Sequence, residues 1–114
     1  MNNRQKGNKG EDIAAFFLKL HLYKIIERNF YAPTGEIDIV AKKGKTLVFV
    51  EVKYRNNTDK GLPREAVNAA KQQKIRRTAQ FYMAKNSINE EETDIRFDVI
   101  EIIGKDIKHL KAAF

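Results

Sequence analysis

The sequence predicts a single α/β domain in which a mixed sheet is flanked by helices. Three observations predict this class. The chain opens with a helical pattern of apolar residues, continues with three segments rich in β-branched residues, and then has a long helical pattern before a final strand. Because these patterns follow one another without a repeat or a linker, they predict an αβββαβ order packed around one core. The whole chain, residues 1–114, is expected to form this one domain.

Two helices are predicted from apolar residues at helical spacing. The first covers residues 10–22 and has apolar residues on both sides, which predicts that it is largely buried. The second begins at Pro63, because proline at the first helical position loses no needed backbone donor, and continues to about residue 85. The apolar residues of the first helix are Ile13, Phe16, Phe17 and Leu20 on one side and Ala14, Ala15 and Leu18 on the other.

Four strands are predicted at residues 23–30, 36–41, 46–54 and 95–103, each rich in β-branched or aromatic residues. A basic turn at residues 42–45 predicts that the second and third strands pair as a hairpin. A polar loop at 56–62 precedes the second helix, and a short segment follows a turn at 104–106. The two-residue period of the second strand places Ile37, Ile39 and Ala41 on one face and Glu36, Asp38 and Val40 on the other.

The composition limits the chemistry. The chain has 114 residues, no cysteine and two histidines, so a disulfide framework and a thiolate zinc site are excluded and any metal must be held mainly by oxygen. It has 22 basic and 15 acidic residues, a net charge of +7, which suits a phosphate-bearing partner but also many basic proteins that bind none. No secretory signal or apolar span is evident, so we expect a cytoplasmic protein without membrane association.

Paired carboxylates form the main candidate site. Glu36 and Asp38 share a face of one strand, and Glu51 and Lys53 share a face of the strand predicted beside it. Such a group suits Mg²⁺ or Mn²⁺, and Lys53 is placed to orient a water molecule or to stabilise charge on a phosphate. The same spacing also fits a simple ion pair of Glu51 and Lys53 at a strand end.

A family resemblance is carried by motifs along almost the whole chain, which resembles the small bacterial YraN family. This family is placed in the restriction-endonuclease-like superfamily, whose signature is written PD-(D/E)-x-K, and it is similar to archaeal Holliday-junction resolvases in the order of its elements. The motifs are Gly7-x-x-Gly10-Glu11, Arg28-Asn29, Gly35-Glu36-Ile37-Asp38, Phe49-Val50-Glu51-Val52-Lys53-x-Arg55, Lys71-Gln72, Arg96-Phe97-Asp98-Val99 and Ala113-Phe114.

The resemblance implies a restriction-endonuclease-like fold and assigns roles to the candidate residues. Asp38 and Glu51 would bind the metal, Mg²⁺ or Mn²⁺, with the backbone carbonyl of Val52 completing its shell. Lys53 would be the catalytic lysine, and Glu11 a further acidic group from the first helix. Glu11 also fits a residue that stabilises the helix start. The sequence departs from the written signature in having isoleucine at position 37 in place of proline.

Supporting roles are predicted for residues around these four. Glu36 and Gln72 are expected to support the site, although Glu36 also fits a position too near the turn to reach it. The residues expected to contact nucleic acid are Lys9, Arg55, Lys71 and Lys74. Lys71 and Gln72 fit a solvated helix face as well. Arg96 and Asp98 share a strand face and are interpreted as a structural pair, and His21 and His109 as satisfied or solvated histidines.

The predicted function is metal-dependent hydrolysis of phosphodiester bonds in DNA, with branched or junction DNA as the preferred shape. One alternative is a nucleic-acid-binding module of the same fold without catalysis. Another is an interaction subunit of a DNA repair or uptake complex, which exposed apolar residues would favour; the candidates are Phe81, Met83 and Phe114. A homodimer is compatible with the analogy to resolvases, which cut two strands symmetrically.

Overall fold

The computed structural model describes residues 3–55 and 67–114. In these ranges the chain forms two α-helices, one 3₁₀ helix and five strands in a single sheet. The helices are α1 (Asn3–Leu20) and α2 (Ala69–Lys85), with the 3₁₀ helix at Glu90–Glu92, and the strands are β1 (Lys24–Ala32), β2 (Gly35–Lys43), β3 (Thr46–Arg55), β4 (Asp94–Ile103) and β5 (Asp106–Leu110).

The strands lie in the order β1-β2-β3-β4-β5. β3 and β4 are parallel, since α2 lies between them in the chain, and the other neighbours are antiparallel. Two-residue turns join the antiparallel pairs, and Gly44 and Gly104 each adopt a φ of 60° in two of these turns, which favours glycine. The α/β class, the αβββαβ order and the hairpin of β2 and β3 are confirmed. The short final segment forms the additional edge strand β5.

The predicted bounds of both helices need correction. α1 begins at Asn3 rather than Gly10, because its first turns are polar and give no apolar pattern. Asn68 is the N-cap of α2 and accepts a hydrogen bond from the backbone N–H of Lys71, so the helix begins at Ala69. The predicted start at Pro63 and the loop at 56–62 lie outside the described residues.

The sheet has a core on each face. One cluster contains Leu18 from α1 and Val50 from β3, and the other contains Phe49 from β3 and Tyr82 from α2. The predicted alternation of β2 is wrong at one point: Ile39 packs in the α1 cluster but Ile37 packs in the α2 cluster. The change of face occurs across Asp38, which does not pair with Asn29 although the residues on either side do; the register shift between β1 and β2 lies elsewhere, between Ile25 and Glu27.

The surface of α1 differs from the expectation that this helix is largely buried. Phe16 is 64% exposed and Leu20 is 63% exposed, and Leu22, just after the helix, is 81% exposed. Of the three residues predicted as exposed candidates, Phe81 is exposed, Met83 is buried and Phe114 is half-buried against Phe97. No helix in the described parts of the chain has the length and apolar character to span a bilayer.

Gly10 allows α1 to lie directly against β3. A Cβ atom added at this position would be 2.7 Å from the Cβ of Tyr54, closer than atoms of this kind pack. We expect Gly10→Ala to destabilise the protein, because overpacking costs about 1–3 kcal/mol whereas alanine gains at most about 1 kcal/mol in helix propensity. Thermal unfolding tests this, with the exposed neighbour Lys9→Ala as the control. An unchanged or raised melting temperature for Gly10→Ala would contradict the expectation.

Candidate metal centre

Three carboxylates meet where β2 begins. Glu11 comes from α1, and Glu36 and Asp38 come from β2. One oxygen atom of each lies within 4.8 Å of the others. Like charges at this spacing oppose one another's ionisation, so protons or a cation must neutralise them. We call these three residues the carboxylate cluster.

An irregularity in the sheet positions Asp38. Asn29 and Asp38 do not pair although their neighbours in β1 and β2 do, and Asn29 adopts a φ of 56° in the left-handed region. Asp38 lies one residue before the last pair of β2 with β3, Ile39 with Val50. Its Oδ2 atom accepts a hydrogen bond of 2.8 Å from the backbone N–H of Val52. This bond joins the cluster to the end of β3.

Glu11 is the most deeply enclosed member of the cluster. The residue is 8% exposed, and its Oε1 atom is buried without a hydrogen-bond partner. Arg28 lies 3.7 Å from this oxygen, beyond hydrogen-bond distance, and instead binds Asp12 at 2.6 Å. Burial raises the pKa of Glu11, and Glu36 adds to the increase, while hydrogen bonding to Asn29 opposes it. A buried carboxylate oxygen without a partner is an available cation ligand.

Asp38 has the largest change in acidity at the site. Burial and the nearby charge of Glu51 raise its pKa to about 8, with further contributions from Glu11 and Glu36, although the hydrogen bond from Val52 lowers it. Asp38 therefore holds a proton at neutral pH when no cation is bound. A carboxyl group with such a pKa is typical of a functional site.

Glu51 lies beside Asp38 but is engaged by two lysines. Its Oε2 atom is 3.6 Å from the Nζ of Lys53 and 3.4 Å from the Nζ of Lys71. The Glu51 side chain is 8% exposed, against 25% for Lys53 and 44% for Lys71. Glu51 and Lys53 come from the end of β3, and Lys71 comes from the first turn of α2. The predicted ion pair of Glu51 and Lys53 is therefore present, and Lys71 joins it.

A cleft of about 580 Å³ opens over Asp38, Glu51 and Lys71. The turn between β1 and β2 forms one wall and the start of α2 forms the other. Carboxylates and lysines both line it, so an anionic group can enter only if a cation or the lysines offset the carboxylate charge. The charged residues that line it are Glu36, Asp38, Glu51, Lys71 and Lys74.

The donor set fits a hard divalent cation. All candidate ligands are oxygen atoms, which Mg²⁺ and Mn²⁺ prefer over nitrogen and sulfur. The Oε1 atom of Glu11 has no hydrogen-bond partner, and burial and nearby carboxylates raise the pKa of Asp38, so a bound cation would favour the ionised, ligating form of both groups. Glu11, Glu36 and Asp38 each offer an oxygen ligand, and the Glu51 carboxylate lies close enough to Asp38 to raise its pKa.

Comparison with known proteins identifies the family of the chain. The model of uncharacterised protein family UPF0102 matches residues 10–102. The chain belongs to this family. The resemblance to the YraN family is confirmed at this level, as membership of UPF0102.

Three relatives in UPF0102 align with the chain over more than nine tenths of their own length. The chain is similar to the UPF0102 protein of Clostridioides difficile, with 45% identity over all of both chains. It is 44% identical to that of Lachnoclostridium phytofermentans, over all of this chain and 96% of the relative. It is 44% identical to that of Persephonella marina, over 96% of this chain and 92% of the relative.

The structure places the remaining predicted residues outside the carboxylate cluster. The side-chain amide of Gln72 donates to the carbonyl of Val67 at 3.2 Å, which fastens the start of α2. Val52 is half-buried and packs against the α1 core cluster. Lys9 is exposed on α1, and the carbonyl of Arg55 accepts a hydrogen bond from Gly104 at the end of the sheet.

Two residues that contact Glu11 were given no functional role in the sequence analysis. Arg28 pairs with Asp12 and faces Glu11, and Asn29 hydrogen-bonds Glu11 from a left-handed backbone position. Both belong to one motif quoted for the resemblance. An arginine and an asparagine within a strand pattern were the available signal, since asparagine tolerates the left-handed region.

Asp98 is the centre of a separate structural network. It accepts hydrogen bonds from Arg96 at 2.7 and 2.8 Å, from the His109 ring at 2.7 Å and from the backbone N–H of Ala112 at 3.0 Å. Arg96 also donates to the hydroxyl of Tyr23 at 2.6 Å. The structural pair of Arg96 and Asp98 is present, and His109 is satisfied by Asp98. His21 is exposed and bonds the carbonyl of Phe17.

Proposed function

We propose that this member of UPF0102 is a metal-dependent DNA endonuclease of the restriction-endonuclease-like superfamily. One observation carries the proposal: Glu36 and Asp38 of the carboxylate cluster line one cleft together with Glu51, whose carboxylate lies 3.6 Å from the Nζ of Lys53. The αβββαβ order supports it, because this order places the end of β3 next to both α1 and β2. A protein that only bound DNA would have no use for carboxylates facing phosphates.

The residues divide into two chemical roles. Asp38, Glu51 and Glu11 would hold Mg²⁺ or Mn²⁺, with Glu36 supporting them and the Val52 carbonyl as a further oxygen. When bound, such an ion stabilises charge on the phosphate and lowers the pKa of a water molecule. Lys53 would orient the attacking water and stabilise negative charge that develops on the phosphate oxygens.

The charge of the chain suits a nucleic-acid substrate. The net charge is +7 although the candidate site itself holds four acidic residues, so the remaining surface is strongly basic. Lys71 and Lys74 line the cleft on its α2 side. Lysines of this kind neutralise backbone phosphates without reading bases, and they make binding dependent on salt. We therefore propose that DNA shape, such as a branch or junction, decides which substrate is cut.

Cleavage of labelled four-way, flap, duplex and single-stranded DNA in Mn²⁺ tests the proposal. We expect the wild type to cut at least one of them, and Asp38→Ala, Glu51→Ala and Lys53→Ala each to reduce the rate by roughly 100-fold or more. Asp106→Ala, which removes an exposed carboxylate on β5, serves as the matched control and should cut normally.

Two outcomes would change the assignment. Tight, salt-dependent DNA binding without cleavage by the wild type would favour the binding module. Equal cleavage by the wild type and all three site variants would show that the activity comes from elsewhere, such as a contaminant.

An interaction subunit is the second candidate function, and a specific observation favours it. Phe16 and Leu20 lie one helical turn apart on α1, and both are more than 60% exposed, as is Leu22 beside them. Apolar side chains grouped in this way are typical of interaction surfaces. Cleavage by the purified chain alone would favour the nuclease, whereas activity that requires added repair or uptake components would favour the subunit.

A further inference from the structure

The Glu51 carboxylate does not belong to the carboxylate cluster in the present arrangement. Glu11, Glu36 and Asp38 form that group, while Glu51 is paired with Lys53 and Lys71. We propose that Lys71 is a further catalytic residue. In the metal-free protein its ammonium group pairs with the Glu51 carboxylate, and when Glu51 binds the metal this ammonium group moves to the scissile phosphate. The inference rests on the proposed nuclease function and concerns the same cleft.

The two lysines share one oxygen atom. Both ammonium groups approach Oε2 of Glu51, at 3.6 Å for Lys53 and 3.4 Å for Lys71. A divalent cation bound by Glu51 would have to share this carboxylate with two positive charges. Because repulsion between close charges is strong in a partly buried cleft, one ammonium group must move away.

Lys71 is the lysine that can move. Its side chain is 44% exposed and extends from the first turn of α2, whereas Lys53 is 25% exposed and lies in a central strand paired to β4 at Glu101. The exposed lysine loses little when the ion pair breaks, since such pairs contribute weakly. Its ammonium group already lies in the cleft that a phosphate would enter.

The exchange gives the positive charge of Lys71 one role before the metal binds and another afterwards. Without metal, Lys71 offsets the charge of Glu51 and keeps the buried carboxylate stable. With metal bound, the released ammonium group offers three hydrogen-bond donors to a phosphate. Lys71 and the metal therefore compete for Glu51 but act together on the substrate.

Mn²⁺ binding measured by electron paramagnetic resonance tests the exchange without any need for activity. We expect Lys71→Gln to bind Mn²⁺ about 3- to 10-fold more tightly than the wild type, because the competing charge is gone. Lys74→Gln is the matched control: it removes the same charge from the same cleft and helix, but Lys74 forms no ion pair with Glu51 among the described residues. Its effect should be smaller. Lys71→Arg keeps the charge and should bind Mn²⁺ as the wild type does.

Cleavage provides the second readout. Lys71→Gln should lower kcat by roughly 10-fold or more despite its tighter metal binding, and Lys74→Gln should mainly raise KM. Binding of Mn²⁺ by Lys71→Gln but not by the wild type would also support the exchange.

The failures can be separated. Equal Mn²⁺ affinity in Lys71→Gln and Lys74→Gln, with wild-type binding intact, would overturn the exchange and leave the nuclease proposal standing. Absence of Mn²⁺ binding in the wild type and in every lysine variant would overturn both. Asp38→Ala, which should lose the ion, establishes that the signal comes from this site.

Discussion

Asp38→Asn is expected to make the protein more stable at pH 7 while abolishing metal-dependent cleavage. Ionising Asp38 is unfavourable because the residue is half-buried beside Glu51, and its pKa is raised to about 8. Asparagine has the same shape, can accept the hydrogen bond from Val52 and needs no proton. The shift from 3.8 to about 8 corresponds to up to about 4 kcal/mol at pH 7 by linkage. We expect a gain of about 1–3 kcal/mol, because relaxation and water reduce such values.

The pH dependence of stability gives this expectation a sign. A carboxyl group whose pKa is raised on folding binds its proton more tightly in the folded state, so the folded protein gains stability where that proton is bound. This contribution is fully present below pH 3.8 and is lost as the pH rises to about 8. The wild type should therefore lose stability relative to Asp38→Asn across this interval, and added Mn²⁺ should restore part of it to the wild type alone.

Urea unfolding of both proteins at pH 5, 7 and 9 measures the difference. Asp106→Asn is the control, since Asp106 is exposed on β5. If Asp38→Asn were less stable than the wild type at pH 7, the Asp38 carboxyl group would be stabilising the folded wild type, for example through a cation retained from the cell. Exhaustive dialysis against a chelator before unfolding removes that explanation.

Local chemistry determined most of the fold. The β2–β3 hairpin follows from turn residues between two apolar segments, and β3 from a run of β-branched residues that both faces of the sheet can bury. The first turns of α1 are polar, so no periodic pattern marked their start. The exposure of Phe16 and Leu20 was not predictable either, because helical spacing assigns residues to a side but does not show which side has a partner.

The candidate site was predictable only in part. Strand alternation placed Glu36 with Asp38 and Glu51 with Lys53, and the hairpin brought the two pairs together. Glu11 reaches the cluster through tertiary packing of α1, which strand spacing cannot reveal and which the family resemblance supplied. β2 changes face between Ile37 and Ile39, opposite Asn29, whose left-handed backbone angle no periodicity encodes.

A carboxylate in the middle of β4, Asp98, shows the opposite electrostatic environment. Asp38 accepts one backbone hydrogen bond, from Val52, and lies among other carboxylates, whereas Asp98, fully buried, has four donated hydrogen bonds from three residues. Burial alone would raise the pKa of Asp98, but the hydrogen bonds from His109, Arg96 and Ala112 lower it to about 2. Its contribution to stability is present above pH 3.8 and is lost as the pH falls towards 2.

We therefore expect Asp98→Ala to be the most destabilising of the substitutions proposed for this protein. It would leave the Arg96 guanidinium and the His109 ring without their acceptor and would release the backbone of Ala112. Removing one partner of a buried ion pair costs about 3–5 kcal/mol, which lowers the melting temperature of a domain of this size by more than about 10 °C. Asp94→Ala, an exposed aspartate on the same strand, should change stability by no more than about 0.5 kcal/mol. Similar melting temperatures for the two variants would mean that the network orients the C-terminal residues without stabilising the sheet, and hydrogen exchange of the β5 amides would then show where its effect is confined.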